Sequence, residues 1–200
     1  ADAEGEVIVV PGPVVPVYGP EDSRSVYAAE VGTLKARLES GIPLTDCPAE
    51  ACGIRQIALE NHGMQLVYNP ETLFRLREAV GPMVGMNLDP SHLFWMGGDP
   101  IEAARVLGEQ GALYHVHGKD SRPERRMVGP NGLLDTKTID QFRTRSWNYV
   151  AVGCGHGSQW WKEFFSVVRM SGYNDEISLE MEDLTLSMLD GHLASLQVLR

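Results

Sequence analysis

Four side chains able to hold a cation or move a proton stand at the ends of short apolar runs. Glu60 closes IRQIALE, Asp89 closes VGMNLD, His117 closes LYHVH and Glu180 closes ISLE. Each run is short enough to read as a strand. In a parallel α/β barrel the C-terminal strand ends converge on one face, where active sites form. Burying a lone charge is costly, and three carboxylates brought together raise one another's pKa values. A divalent cation removes both difficulties. Three carboxylates and an imidazole suit Mn²⁺ first, with Mg²⁺, Co²⁺ or Zn²⁺ as alternatives. No cysteine belongs to the set, which argues against a structural zinc site.

Each residue also has an ordinary reading. Glu60 could cap the next segment, and Asp89 before Pro90 could simply form a turn. His117 could be a satisfied core histidine, with His115 on the same side of the strand. Glu182 shares a face with Glu180 by the same two-residue period. His62 and His156 suit pocket walls or loop hydrogen bonds better than metal ligation. Phe94 and Trp95 fit a pocket wall or the core equally well, and Trp160 and Trp161 read as packing residues.

The elements that must position these residues alternate between strand and helix. Strands are expected at Val7–Val10, Ile54–Glu60, Val84–Asp89, Leu113–His117, Tyr149–Val152 and Ile177–Met181. Helices are expected at Val26–Leu38, from Asn69-Pro70 to Ala79, from Asp99-Pro100, at Gln159–Met170 with Ser158 as cap, and from Ser187 to Leu199. Such alternation implies parallel strands with right-handed crossovers. Residues 118–147 are polar and lack a clear period. With no repeat and no strong internal boundary, residues 1–200 read as a single domain.

Composition narrows the function. The chain has 200 residues, 43% hydrophobic and 22% charged, as expected of a globular domain. A formal charge of −10 disfavours nucleic acid. No apolar run approaches the roughly 20 residues that span a bilayer, and the first residues do not resemble a signal peptide. The odd set Cys47, Cys52 and Cys154 suits reduced thiols in a cytoplasm.

Taken in order, ALENHG (58–63), NLDPSHLFW (87–95), YHVHGKDSR (114–122), GHG (155–157) and ISLEMED (177–183) resemble the sugar phosphate isomerase/epimerase group of the xylose isomerase-like TIM-barrel superfamily. The resemblance covers residues 53–183. It implies one divalent metal held by Glu60, Asp89, His117 and Glu180. By the pattern of the ketose 3-epimerases, Glu60 and Glu180 are also the acid and base, working through an enediolate. It makes His92 and Arg122 substrate contacts, with a small carbohydrate or polyol as substrate; beside them Lys119 can supply another positive charge near an enediolate oxygen, and His62 can line the substrate pocket. Counted against the family, Val7–Val10 takes the third strand position, so the first two β/α units have no counterpart. Pro43 and Pro48 interrupt 40–52, where the family runs a long helix. Unclosed sheet edges point to a homo-oligomer. Two other functions fit the same residues: an inosose-type dehydratase, or a non-catalytic incomplete barrel that needs a partner chain. Endonuclease chemistry would call for more histidines and a less acidic surface.

Overall fold

The computed structural model describes residues 6–11 and 54–200. The expected helix at Val26–Leu38, the segment 40–52, Cys47 and Cys52 lie outside the described residues. The first strand is β1 (Glu6–Pro11). It is followed by β2 (Ile54–Glu60), β3 (Val84–Leu88), β4 (Leu113–Gly118), β5 (Asp120–Pro123), β6 (Trp147–Val150) and β7 (Ile177–Leu179). The helices are α1 (Pro70–Val80), α2 (Pro90–Met96), α3 (Pro100–Glu109), α4 (Arg125–Asn131), α5 (Ser158–Met170) and α6 (Met188–Leu199). One sheet has the order β1-β2-β3-β4-β7, and a second pairs β5 with β6. Strands β1, β2 and β3 pair in parallel, as do β4 and β7.

The chain divides into two compact units. The first takes its described residues from Ala1–Leu88 and Glu109–His115. Its core holds Ile57, Leu59, Leu73, Leu76, Val84 and Met86. Asn69 starts α1 through a capping box. Its side chain accepts from Thr72 N at 2.9 Å, and its own N–H donates to Thr72 Oγ1 at 3.2 Å. Pro70 at the first helical position needs no donor there. Leu73 and Leu76 then face inward at helical spacing.

The second unit comprises Asp89–Gly108 and Val116–Arg200. Helix α3 buries Ile101, Ala104 and Leu107, and α5 buries Trp161, Phe164, Val167 and Val168. An aromatic core joins α2 to β6: Trp95 stacks on Trp147 at 4.6 Å, and Tyr149 meets Trp147 edge-on at 5.2 Å. Trp95 is thus a core residue.

Two expectations are corrected. Ser158 does not cap α5; it is the first helical residue, and Gly157 precedes it with no side-chain cap bond. The strand expected at Tyr149–Val152 runs from Trp147 to Val150. It pairs antiparallel with β5, while β7 pairs with β4 directly. The polar segment 118–147 holds β5, α4 and a 3-10 turn at Ile139–Gln141. Local side-chain anchors hold this segment. The Asp135 carboxylate accepts from Lys137 N at 3.0 Å and Ser146 N at 2.7 Å, and pairs with Lys137 Nζ at 2.8 Å. None of the described helices is long and apolar enough to cross a membrane.

Candidate metal centre

Asp89 directly follows β3 and caps α2. Its Oδ1 accepts from Ser91 N at 2.8 Å, and Pro90 takes the first helical position. One oxygen thus forms the helix-capping turn, and the other, Oδ2, faces His117. Gly97 ends the helix with φ 82°, a left-handed conformation that favours glycine. The Asp89 side chain is completely buried.

His117 lies one residue before the end of β4. Its Nδ1 stands 3.3 Å from Asp89 Oδ2 and 3.0 Å from Glu180 Oε2. Glu180 follows β7 immediately and is held there by its backbone N–H donating to Gly118 O at 3.3 Å. Ligand atoms of Asp89, His117 and Glu180 all lie within 4.8 Å of one another. Atoms at ~2.1 Å from a shared cation stand about 3.0 Å apart on adjacent octahedral corners and about 3.4 Å apart on a tetrahedron. The observed separations match that spacing, so this donor set fits a divalent ion.

Lys119 is 3% exposed. Its Nζ meets Glu180 Oε1 at 3.1 Å and Asp89 Oδ2 at 3.9 Å, pairs with Glu182, and lies 4.3 Å from the centre of the Tyr149 ring. Burial opposes its charge, but Asp89, Tyr149, Glu180 and Glu182 outweigh it and hold the ammonium above the usual lysine range. Burial pushes the Tyr149 phenol well above its ordinary value. Three carboxylates against one ammonium leave two negative charges in this cluster when His117 is neutral. That is the charge a divalent cation neutralises.

The remaining predicted site residues spread over several environments. Glu60, in the first unit, is the last residue of β2 and pairs in register with Asn87, two positions before Asp89. His62 follows in the loop, with Nδ1 2.6 Å from Gly63 O. His92 is fully buried on α2, with Nε2 3.7 Å from Asp89 Oδ2 and Nδ1 3.3 Å from the Tyr149 hydroxyl. Arg122, on β5, is half-exposed and pairs with Glu124 at 2.8 Å.

Sequence reasoning passed over Asp120, Tyr149 and the pairing of Glu182. Asp120 is fully buried and gathers the loop after β6. It accepts from Gly153 N at 3.1 Å, Gly155 N at 3.0 Å and His156 N at 2.9 Å, and meets His156 Nδ1 at 2.8 Å. His156 in turn stacks on Phe94 at 3.5 Å. A side chain at Gly155 would run into Ser121 O and the Asp120 carboxylate. The available signal was the aspartate of GKD combined with the GHG motif.

The family model described as "Xylose isomerase-like TIM barrel" matches residues 7–200. The chain belongs to that family of (β/α) barrels. An uncharacterized protein of Bacillus subtilis (strain 168), YfiH, is 66% identical over 152 residues, covering 76% of this chain and 48% of YfiH. The chain thus spans about half the length of the curated relative it matches. Among solved structures, the IolI protein with a binding zinc atom aligns with a TM-score of 0.64 at 20% identity, over 97% of this chain and 61% of that one. The probable 3-DHS dehydratase AsbF of Bacillus anthracis aligns at 0.61 and 17%, over 96% and 61%. An L-ribulose 3-epimerase aligns at 0.54 and 18%, over 94% and 53%. At these identities the likeness is one of fold.

Proposed function

We propose that the chain carries the metal-binding part of a divalent-metal-dependent isomerase or epimerase acting on a small carbohydrate or polyol. Glu60, Asp89, His117 and Glu180 would hold one cation. The carrying observation is the meeting of Asp89, His117 and Glu180 at separations of 3.0 and 3.3 Å. A bound cation would supply Lewis-acid stabilisation of negative charge on a substrate carbonyl oxygen. Glu180, 36% exposed, can take or return a substrate proton. Glu60 is proposed as its counterpart on the opposite face, and Lys119 and Glu182 set the position of the Glu180 carboxylate. His92 orients Asp89, and Arg122 and His62 are proposed substrate contacts. A formal charge of −10 supports a small-molecule substrate over nucleic acid.

The test is exchange of substrate hydrogen with solvent. The Mn²⁺-loaded protein is incubated with a panel of ketoses and inososes in D₂O and followed by proton NMR. Loss of a single C–H resonance supports the reading, and Glu180→Gln is expected to slow it at least 100-fold. Metal binding with no exchange on any panel member would sink it. A second reading, dehydration, draws on the structural likeness to the probable 3-DHS dehydratase AsbF. It would appear in the same spectra as a new vinylic resonance.

A further inference from the structure

Tyr149 is buried on β6, and the two chemically distinct parts of its side chain face different members of the metal cluster's surroundings. Its hydroxyl lies 3.3 Å from His92 Nδ1, and its ring face carries the Lys119 ammonium at 4.3 Å. The His92 ring meets the tyrosine ring edge-on, at 5.7 Å and 83°. The second His92 nitrogen, Nε2, stands 3.7 Å from Asp89 Oδ2, and both of these side chains are fully buried. Two further contacts brace this geometry. Trp147 packs edge-on against the Tyr149 ring. Ser121, in register with Tyr149, donates to Ser91 O at 2.7 Å, one residue before His92.

The direction of the Tyr149–His92 hydrogen bond follows from the chemistry of the neighbours. A buried phenol needs an acceptor for its hydrogen. The cations over its ring, Lys119 and Arg145, only donate. Among the described residues, the hydroxyl's hydrogen-bond partner is His92 Nδ1. The hydroxyl therefore donates, Nδ1 accepts, and the imidazole hydrogen sits on Nε2. There it faces the Asp89 carboxylate, which attracts it, whereas the other tautomer would turn a lone pair toward Oδ2. We propose that Tyr149 is a positioning residue of the metal centre: its hydroxyl holds His92 as the Nε2–H tautomer, which presents a donor to Asp89 Oδ2, and its ring face seats Lys119 beside Asp89 and Glu180. Outer partners of this kind fix the orientation of ligand groups. An Nε2–H cannot itself ligate, so nitrogen ligation stays with His117. The effect on metal binding rests on the proposed function; the tautomer of His92 does not.

The full chain is labelled with nitrogen-15 histidine and studied without metal by long-range proton–nitrogen correlation, which separates the imidazole tautomers. The His92 signals are assigned by their loss in His92→Gln. Wild type is expected to show the Nε2–H tautomer with Nδ1 shifted by its hydrogen bond, and Tyr149→Phe to lose that shift. Calorimetric titration with Mn²⁺ is expected to show binding about tenfold weaker in Tyr149→Phe, which keeps the ring face. Tyr149→Leu removes the face as well and should weaken binding about threefold further. An Nδ1–H or doubly protonated His92 in the wild type would overturn the proposal, and that spectrum needs no variant to fold. An unchanged Nδ1 resonance or an unchanged Mn²⁺ affinity in folded Tyr149→Phe would overturn it too. Equal affinities in the phenylalanine and leucine variants would overturn the seating of Lys119. No Mn²⁺ binding by the wild type, with the Nε2–H tautomer present and its Nδ1 shift lost in Tyr149→Phe, would remove the metal reading and leave the His92 assignment standing.

Discussion

Replacing Asp120 with alanine removes the acceptor that organises residues 153–156. The carboxylate is fully buried and takes three backbone N–H groups of that loop, from Gly153, Gly155 and His156. A fourth comes from Ser121 at 2.9 Å. A backbone donor stripped of its partner costs ~1–3 kcal/mol, with the lower end applying where water can enter. The loop donors are only part-buried, so about 1 kcal/mol each is appropriate, or about 3 kcal/mol together. Loss of the His156 contact at 2.8 Å adds to this. Relief of carboxylate desolvation is a small offset, because the folded state already supplies these donors to the charge. Urea unfolding is expected to show a loss of about 3–4 kcal/mol at constant m-value. Hydrogen exchange should quicken first at the amides of 153, 155 and 156, because the damage is local. Asp120→Asn, which keeps one oxygen, should lose about half as much. A change below about 1 kcal/mol for the alanine variant, or unchanged protection at those amides, would refute the reasoning.

Other expectations follow from the same contacts. Metal at 100 times its Kd should stabilise the protein by about 2.7 kcal/mol, a rise of roughly 5–11 °C in a thermal melt. Asp89→Asn should keep the Ser91 cap, since asparagine caps as well as aspartate, yet abolish that rise; retention of the rise would count against Asp89 as a ligand. Burial alone would raise the Asp135 pKa, but the Lys137 ammonium and the N–H groups of Lys137 and Ser146 hold it below the usual carboxylate range. Its stabilising contribution is therefore present above the ordinary aspartate pKa of about 4 and is lost as pH falls from there toward the depressed folded value. The stability gap between wild type and Asp135→Asn should accordingly shrink in acid titrations below that point, and a gap independent of pH would contradict the assignment. Gly85→Ala would push a methyl group into the Tyr114 ring. It should cost about 1–3 kcal/mol in chemical denaturation, and a neutral result would mean that the ring moves freely.

Much of the site was legible because strand ends announce themselves. Glu60 and His117 close or nearly close β2 and β4, and Asp89 and Glu180 follow β3 and β7 directly. Asp89 was ambiguous for a physical reason: a carboxylate has two oxygens, and here one caps a helix while the other faces His117. The helix it caps was missed because Pro90–Met96 is short and reads locally as a turn. The β5–β6 pair was missed because four-residue antiparallel strands carry little periodicity, and their placement depends on Asp135 and Asn148 reaching across the segment. Asn148 Nδ2 donates to Phe142 O at 2.9 Å. Such contacts leave a residue type in the sequence but no spacing rule. Lys119 was legible as a charge near the site. Its engagement with Glu180 and Glu182 emerges only when β4 and β7 lie side by side.

The central claim is that strand-end side chains distant in sequence share one cation. It is tested most directly by a crystal structure grown with Mn²⁺ and phased at the manganese absorption edge. The account predicts one anomalous peak at about 2.0–2.3 Å from an oxygen of each of Glu60, Asp89 and Glu180 and from a nitrogen of His117. A peak bound elsewhere, or no peak at this cluster at saturating metal, would contradict it.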